Sequence, residues 1–379
     1  MTNITRRRPS MKQTKKAAIL AAGMAALALG PTSARAQSDA VTIYGFLKVD
    51  VESVWAGGAK GGQGRMGRVS NNLSVLGFKG VEDLGGGLQA FFQIESNVGV
   101  DTGAGSFADR NDNVGLRGSL GEIFAGQYET PYRFVSVYAI DPFTAGIFAS
   151  NSIMGNGFTT AANAQSPASF DRRQKNLVQY STPNFGGLVG KIAYAAREER
   201  TATSDPSLVS ALLTYESGPL YLAYGHEQHK DYFSGGSVDT GNKIGGAYSF
   251  GNTRVRFVWE RLRYEPAPGT SLRRDAWQVA LTHNVGNGQL RASYVRAERS
   301  KGNAAAGIGG IGKPGTASGA QQVSLGYGYS LSKRTELWGA LTKIFNEQNA
   351  SYNLSANPIP GLSAGQSPAG VGLGITHKF

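Results

Sequence analysis

The sequence predicts an all-β fold, a 16-stranded antiparallel up-and-down transmembrane β-barrel. Three observations lead to this prediction. Segment after segment alternates apolar and polar residues with a period of two, which is typical of strands whose faces meet different surroundings. The connections between these segments alternate between short turns and long loops. Beyond the first 36 residues no apolar run approaches the roughly 18 residues of a membrane helix, so a membrane-crossing chain must use strands.

The first 36 residues have the pattern of an export signal and are not expected to belong to the fold. Six basic residues precede an apolar segment at 17–29, and Ala34, Arg35 and Ala36 form a small-residue cleavage site before Gln37. A retained membrane anchor is the alternative. We therefore expect a cleaved signal peptide at 1–36 and one barrel domain at 37–379.

Composition excludes several classes of function. Seven of the 38 basic residues and none of the 26 acidic residues lie in 1–36, so the formal charge is +12 for the whole chain but +5 for 37–379. The other Lys and Arg residues are scattered, so no nucleic-acid partner is expected. The chain has no cysteine, which excludes disulfides, thiolate metal sites and cysteine nucleophiles. We expect no cofactor and no metal.

Alternating segments follow one another from Val41 to the C-terminus. In the first, Val49 and Val51 alternate with Lys48 and Asp50. Other clear examples lie at 88–95, 254–260, 322–329 and 371–378. About sixteen such segments leave about 21 residues for each strand with its connection, which is enough for a tilted strand of about 10 residues that spans a bilayer.

The connections sort into two kinds. Short turns are expected at 83–87, 119–121, 183–187, 217–219, 251–252, 285–288 and 331–334, and long Gly-, Ser- and Asn-rich loops at 56–68, 99–109, 130–173, 198–207, 230–241, 265–271, 301–318 and 347–368. Short turns at one rim and long loops at the other are typical of a membrane barrel. An even strand number returns the last strand to the first, and about 16 to 18 strands enclose a water channel.

Several segments resemble the general trimeric porins of proteobacterial outer membranes, particularly the β-proteobacterial group. The most recognisable is LGFKGVEDLGGGL at 76–88, and similar blocks lie at 41–47, 114–118, 141–143 and 178–187. The terminal GITHKF resembles the signal read by the barrel-assembly machinery, with Phe379 as its final aromatic. The resemblance implies a homotrimer in outer-membrane lipid, with passive diffusion of ions and small hydrophilic solutes through its pores.

The third long loop is the candidate pore constriction. It is much longer than the others and has an apolar middle at 140–154, which a loop bathed in water would not need. In the resembling family this loop folds into the barrel and forms the eyelet. A surface loop packed on a neighbouring subunit is the alternative.

Charged residues in and opposite this loop are expected to line the constriction. The acids are Asp141 and Asp171, with Glu129 at the base of the loop, and the facing bases on inward positions of early strands are Lys48, Lys79 and Arg117. Arg172 and Arg173 fit either the eyelet or the rim of a strand, and Arg254, Arg256 and Arg291 are inward on later strands. Opposed charges would create a transverse field, and the basic excess predicts a mild anion preference. Each base fits an ordinary solvated wall position equally well.

The sequence contains few signals for functions other than a general pore. A lipid-hydrolysing barrel needs a serine beside a histidine, but none of the four histidines lies in a G-x-S-x-G elbow. Residues 307–312 satisfy G-x-G-x-x-G, yet Pro314 follows Lys313 and no parallel β-α unit follows, so we expect a flexible surface loop. A substrate-specific channel and an adhesin-like barrel remain alternatives. Outward aromatics are expected at membrane interfaces or subunit contacts, namely Tyr180, Tyr194, Tyr215, Tyr248, Tyr294, Tyr329 and Phe379.

Overall fold

The computed structural model describes residues 41–58, 61–159, 168–196 and 198–379, so the predicted signal segment lies outside the described residues. Sixteen antiparallel strands form one sheet. In chain order, β1 to β16 are Thr42–Gly57, Gln63–Asn71 continued by Val75–Gly85, Leu88–Val98, Asp112–Gly118, Gly121–Glu129, Asp171–Ser181, Leu188–Ala195, Ser207–Ser217, Leu220–Lys230, Val238–Phe250, Thr253–Tyr264, Leu272–Val285, Gly288–Ala297, Ala320–Ser330, Thr335–Asn346 and Ser367–Lys378.

Smaller elements complete the secondary structure. In the described ranges, three short 3-10 helices occupy Pro131–Val135, Ser150–Ser152 and Met154–Asn156, and two-residue strand pieces occur at Gly105–Ser106, Phe158–Thr159 and Lys301–Gly302. Within the described residues, no helix is long and apolar enough to cross a membrane.

The sheet closes on itself. Each strand pairs with the next one in the chain, and β16 pairs back with β1 from Phe46 opposite Lys378 to Gly57 opposite Ser367. Because every strand has two neighbours, the sheet has no unpaired edge. The predicted 16-stranded barrel is confirmed.

The two faces of the barrel differ as the alternation predicts. On β1, Val51 is 66% exposed on the outside, whereas its neighbours Asp50 and Glu52 are 2% exposed on the inside. On β16, the outward Leu373 is 71% exposed. Large apolar side chains on the outer surface and polar ones inside are the arrangement of a barrel in lipid.

Connections divide between two rims, as predicted. Among the described elements, short turns at one rim occupy 86–87, 119–120, 182–187, 218–219, 251–252, 286–287 and 331–334. The connections at the other rim are 58–62, 99–111, 130–170, 196–206, 231–237, 265–271, 298–319 and 347–366. We term these the short-turn rim and the long-loop rim.

Some predicted loop bounds differ from the structure. The first loop, expected at 56–68, shrinks to 58–62 because β1 and β2 stay paired to Ala56 opposite Gln63. An ion pair between Glu52 and Arg68 (2.5 Å) joins the two strands. The third loop ends before Asp171, where β6 begins. Arg173 pairs with Glu129 of β5, and residues 171–172 pair with the strand piece Phe158–Thr159.

The third loop lies inside the barrel in its described parts, residues 130–159 and 168–170. Its buried apolar side chains include Tyr132, Val135, Ile140, Phe143, Ile147, Phe148, Ile153, Met154 and Phe170. They form one cluster with inward side chains of the wall, including Leu212, Ala223, Ala247, Val258, Leu262, Val295 and Ile344. Each fully buried side chain of this size stabilises the docked loop by about 1.5–3 kcal/mol. The apolar middle of the loop therefore has an apolar partner, and the in-folded loop is confirmed.

Inward glycines mark where the loop docks. Gly225, Gly241, Gly326 and Gly372 face the lumen on β9, β10, β14 and β16. An added Cβ would lie 2.7 Å from Val135 at Gly225, 2.7 Å from Phe170 at Gly241, 2.8 Å from Phe143 at Gly326 and 3.2 Å from Phe148 at Gly372. The wall thus omits side chains where the loop approaches it most closely.

The segment 307–312 is packed rather than freely exposed. Ile308 and Ile311 pair with each other and are buried. Asn156 of the third loop donates to the carbonyl of Ile308 (3.0 Å) and accepts from the amide of Gly310 (3.1 Å). The segment was expected to be a flexible surface loop, but it is packed and hydrogen-bonded to the third loop on the side of the long-loop rim.

Substituting Gly225 tests the docking directly. We expect Gly225→Val to destabilise the barrel by about 1–3 kcal/mol, because the new side chain overlaps Val135 and overpacks the interface. Gly67→Val is the control, since a Cβ at Gly67 meets nothing within 4 Å. Urea unfolding followed by circular dichroism measures both variants, and equal midpoints would contradict loop docking at this site.

Candidate functional site

A basic chamber lies between the third loop and the short-turn rim. Its volume is about 360 Å³. The charged side chains that line it are four bases and one acid, namely Lys48, Arg256, Arg291, Lys378 and Glu336. They come from β1, β11, β13, β16 and β15, and each occupies an inward position of the alternating pattern. The closed ring therefore gathers bases from distant parts of the chain around one space.

Two of these bases bind the third loop through neutral acceptors. Lys48 Nζ donates to the carbonyl of Ala145 (2.8 Å), and Arg256 Nε donates to the carbonyl of Ala139 (3.1 Å). A backbone carbonyl accepts the hydrogen bond of an ammonium or guanidinium group but does not neutralise the positive charge of that group. Arg291 differs, because it is bonded to the Glu336 carboxylate. The chamber therefore keeps an excess of positive charge.

A second group of bases surrounds Glu129 where the third loop begins. Glu129 accepts from Arg173 (2.9 Å) and from Arg133 (3.3 Å), and all three side chains are buried. The ring of Phe158 covers both guanidinium groups, at 3.9 Å from that of Arg133. The single carboxylate of Glu129 thus forms ion pairs with two arginines, and the three side chains together carry net positive charge.

Arg110, in the connection 99–111, extends this group. It lies 3.7 Å from Glu95 and donates to Asn97 (2.7 Å). Its neighbour Asn111 accepts from Arg173 Nε (2.9 Å), which connects this loop to the group around Glu129.

Asp141, which was expected to face the basic wall across an open gap, caps a turn of its own loop. Its carboxylate accepts from the backbone amides of Phe143 (2.9 Å) and Ser150 (2.6 Å). Burial raises the pKa of Asp141, and these two amides act in the opposite direction. Asp141 is 5% exposed and positions the loop rather than presenting a free charge.

Asp171 is likewise held inside the protein. It is fully buried on β6 and bonded to Lys243, which also donates to Ser136 (2.8 Å) and lies 3.4 Å from Glu260. Arg274 donates to the same Glu260 (2.8 Å). Glu260 also accepts from the amide of Gly155 and the hydroxyl of Tyr132. We term Asp171, Lys243, Glu260 and Arg274 the anchor network.

The other predicted bases are placed apart from these groups. Lys79 and Arg117 lie on the wall near the short-turn rim, with Lys79 Nζ 5.0 Å from the Tyr44 ring and Arg117 donating to Gln89 (2.8 Å). Arg172 is buried on β6 with its guanidinium 5.0 Å from the Tyr232 ring. The eight predicted residues thus do not form one ring.

Sequence reasoning missed several charged residues of the site, namely Arg110, Arg133, Lys243, Glu260, Arg274 and Lys378. Part of this group could have been found. The two-residue turn at 251–252 fixes the register of β10 and β11 and places Lys243 directly opposite Glu260. No comparable signal points to Arg133, because its position depends on the path of the third loop.

The anchor network predicts a large effect at Lys243. We expect Lys243→Met to destabilise the protein by about 3–5 kcal/mol, because it leaves the buried carboxylate of Asp171 without its ion-pair partner. The exposed Lys313 gives the control variant Lys313→Met, which removes one ammonium group without unpairing a buried acid. Thermal unfolding measures both, and a Lys243→Met midpoint equal to that of the control would show that the network does not hold the loop.

Comparison with known proteins agrees with this architecture. Residues 22–349 match the family described as Gram-negative porin. Outer membrane porin protein 32 of Delftia acidovorans is 29% identical over 378 residues, which cover 96% of this chain and 98% of that protein. An outer membrane porin protein of Bordetella pertussis is 28% identical over 411 residues, covering 97% of this chain and all of that protein.

Solved structures give the same result. One described as an anion-selective porin from Comamonas acidovorans has a TM-score of 0.73 at 26% identity and covers 90% of this chain and 100% of that chain. OmpT of Vibrio cholerae in its trimer form, at 17% identity and a TM-score of 0.64, shares the fold. The chain belongs to the Gram-negative porin family and is a channel-forming, multi-pass β-barrel of the outer membrane.

Proposed function

We propose that the chain forms a water-filled pore with a mild preference for anions, through which ions and small hydrophilic solutes diffuse passively. The observation that carries this proposal is the chamber under the third loop, with four bases and one acid. In a narrow space of low dielectric, unneutralised cations lower the energy of a passing anion and raise that of a passing cation. A similar structure is that of an anion-selective porin, which supports the same direction.

We assign the predicted site residues different parts in this pore. Lys48, Arg256 and Arg291 border the path below the loop, and Lys79 and Arg117 line the approach from the short-turn rim, which is the periplasmic one. Arg173 and Glu129 border the root of the loop. Asp141, Asp171 and Arg172 fix the loop and its base. No reaction is proposed, because diffusion through such a path requires only a shaped and charged opening.

The outer surface supports assembly into a homotrimer. Among the described residues, the outward tyrosines lie between Tyr180 on β6 and Tyr329 on β14, and none lies on β1 to β5 or on β15 and β16. Tyrosine is favoured where a surface meets lipid headgroups. We propose that the surface of β16 and β1 to β5, which lacks it, packs against the neighbouring subunits.

Export and assembly complete the proposal. We propose that residues 1–36 are cleaved on export and that the barrel-assembly machinery recognises the last strand through Phe379. That residue exchanges backbone hydrogen bonds with Gly45 (3.1 Å), so the recognised end is also the closing seam of the barrel. A substrate-specific channel is the alternative, and a block of the current by a millimolar solute would favour it.

Charge removal at Arg291 tests the anion preference. We expect Arg291→Gln to lower the anion-to-cation permeability ratio about fivefold, because removing one charge at about 8 Å in water raises the energy of a passing anion by about 0.5 kcal/mol and lowers that of a passing cation by the same amount. The measurement is the reversal potential in a salt gradient across a planar bilayer.

The control for this experiment is Arg263→Gln. Arg263 faces outward on β11 near the opposite rim and is 56% exposed, so its removal changes net charge equally without touching the chamber. We expect an unchanged reversal potential for the control. Cation selectivity of the wild-type protein, or equal shifts in both variants, would reject the assignment of the chamber.

A further inference from the structure

A basic cleft lies on the outside of the barrel at the long-loop rim, away from the pore. Its volume is about 550 Å³. The charged residues that line it are Arg273, Asp275, Arg296, Glu298, Arg299, Lys301 and Glu347. We term these residues the outer basic cleft. They come from β12 and β13 and from the connections that follow β13 and β15, which are adjacent in the closed sheet.

Each acid of the cleft already has a base of its own. Asp275 accepts twice from Arg261 (2.6 and 3.0 Å). Glu298 accepts from Arg296 (2.9 Å), and Glu347 accepts from Arg299 (2.8 Å). Ion pairs of this kind leave the acids unavailable to the two bases that are left.

Those two bases are Arg273 and Lys301. Among the described residues their side chains form no hydrogen bond and no ion pair, and they act on Asp275 only through their charge. Their backbones pair with each other, so both side chains leave the sheet on its outer face. The cleft therefore presents two free cationic groups side by side, which is a geometry that suits a phosphate.

An aromatic band lies directly below the cleft. Trp259 and Trp277 are opposite each other on β11 and β12, and the ring of Trp277 is 5.2 Å from that of Tyr294 on β13. Outward Trp and Tyr residues of a barrel mark the level of the membrane interface. Since Arg273 lies four positions beyond Trp277 toward the long-loop rim, the cleft sits at the height of the outer-leaflet headgroups.

The geometry points to a binding site for the phosphorylated headgroup of an outer-leaflet glycolipid in this cleft. Arg273 and Lys301 bind the phosphate, Arg296 and Arg299 border it, and the aromatic band contacts the start of the acyl chains. Basic clusters beside a membrane interface recognise anionic headgroups in this way. The inference rests on the outer-membrane placement of the barrel and not on the selectivity of its pore.

The experiment measures lipid retention by native mass spectrometry of the detergent-purified, full assembled protein. The probe is hexa-acylated lipid A with two phosphates. We expect the double variant Arg273→Gln and Lys301→Gln to bind it about 30-fold more weakly than wild type, because each base near an anionic membrane surface contributes about fivefold. The conservative variant Arg273→Lys should retain binding.

The matched control removes two bases at the opposite rim, in the variant Lys333→Gln and Arg334→Gln. Both residues lie exposed on the short turn at 331–334, so net charge changes equally while the cleft stays intact. We expect wild-type retention of lipid A in this control. Equal loss in both double variants would overturn the site, since it would reduce the effect to net charge.

Two further ligands separate the sources of binding. Lipid A without phosphates should bind no better to wild type than to the cleft variant, and inorganic phosphate alone should not raise the unfolding temperature. If wild type retained the dephosphorylated lipid as well as it retains lipid A, or if free phosphate stabilised the protein, the proposal of a lipid headgroup site would be overturned. Reversal potential should stay unchanged in the cleft variant, so failure here is distinguishable from failure of the proposed pore.

Discussion

The structure depends on one constraint, which is that every backbone polar group in a membrane must find its partner within the protein. The pairing of β16 with β1 fulfils it by removing the last free edge of the sheet. Once the ring is closed, the alternation of side chains separates a lipid-facing surface from an interior. A ring of this size leaves an interior that side chains alone do not fill. The third loop occupies part of that interior and shapes what is left.

The docked loop shows how charge is divided between structure and transport. In the anchor network acids and bases face one another and are fully buried, so their fields largely cancel outside the protein. Around the chamber, Lys48 and Arg256 instead bond to loop carbonyls, which hold the side chains without cancelling their charge. The same residue types therefore serve stability in one place and electrostatic selection in another, and the chemistry of the acceptor makes the difference.

Much of the fold could be predicted from the sequence, because period-two alternation and turn residues are local signals. The inward positions of Lys48, Arg256 and Arg291 follow from the same alternation. The structural roles of Asp141 and Asp171 could not be predicted, since they depend on how the third loop crosses the lumen. No periodicity in the sequence indicates that path. The inward glycines, such as Gly225 and Gly372, do indicate it, because the wall carries no side chain at these points of close approach.

The position of these glycines also has a consequence for biogenesis. The docking surface of the third loop is shared between middle strands, where Val135 meets Gly225, and the last strand, where Phe148 approaches Gly372. Part of this docking surface is therefore missing until the last strand pairs with β1, and the loop cannot dock fully before the barrel is closed. Full docking of the third loop therefore follows closure of the barrel rather than preceding it.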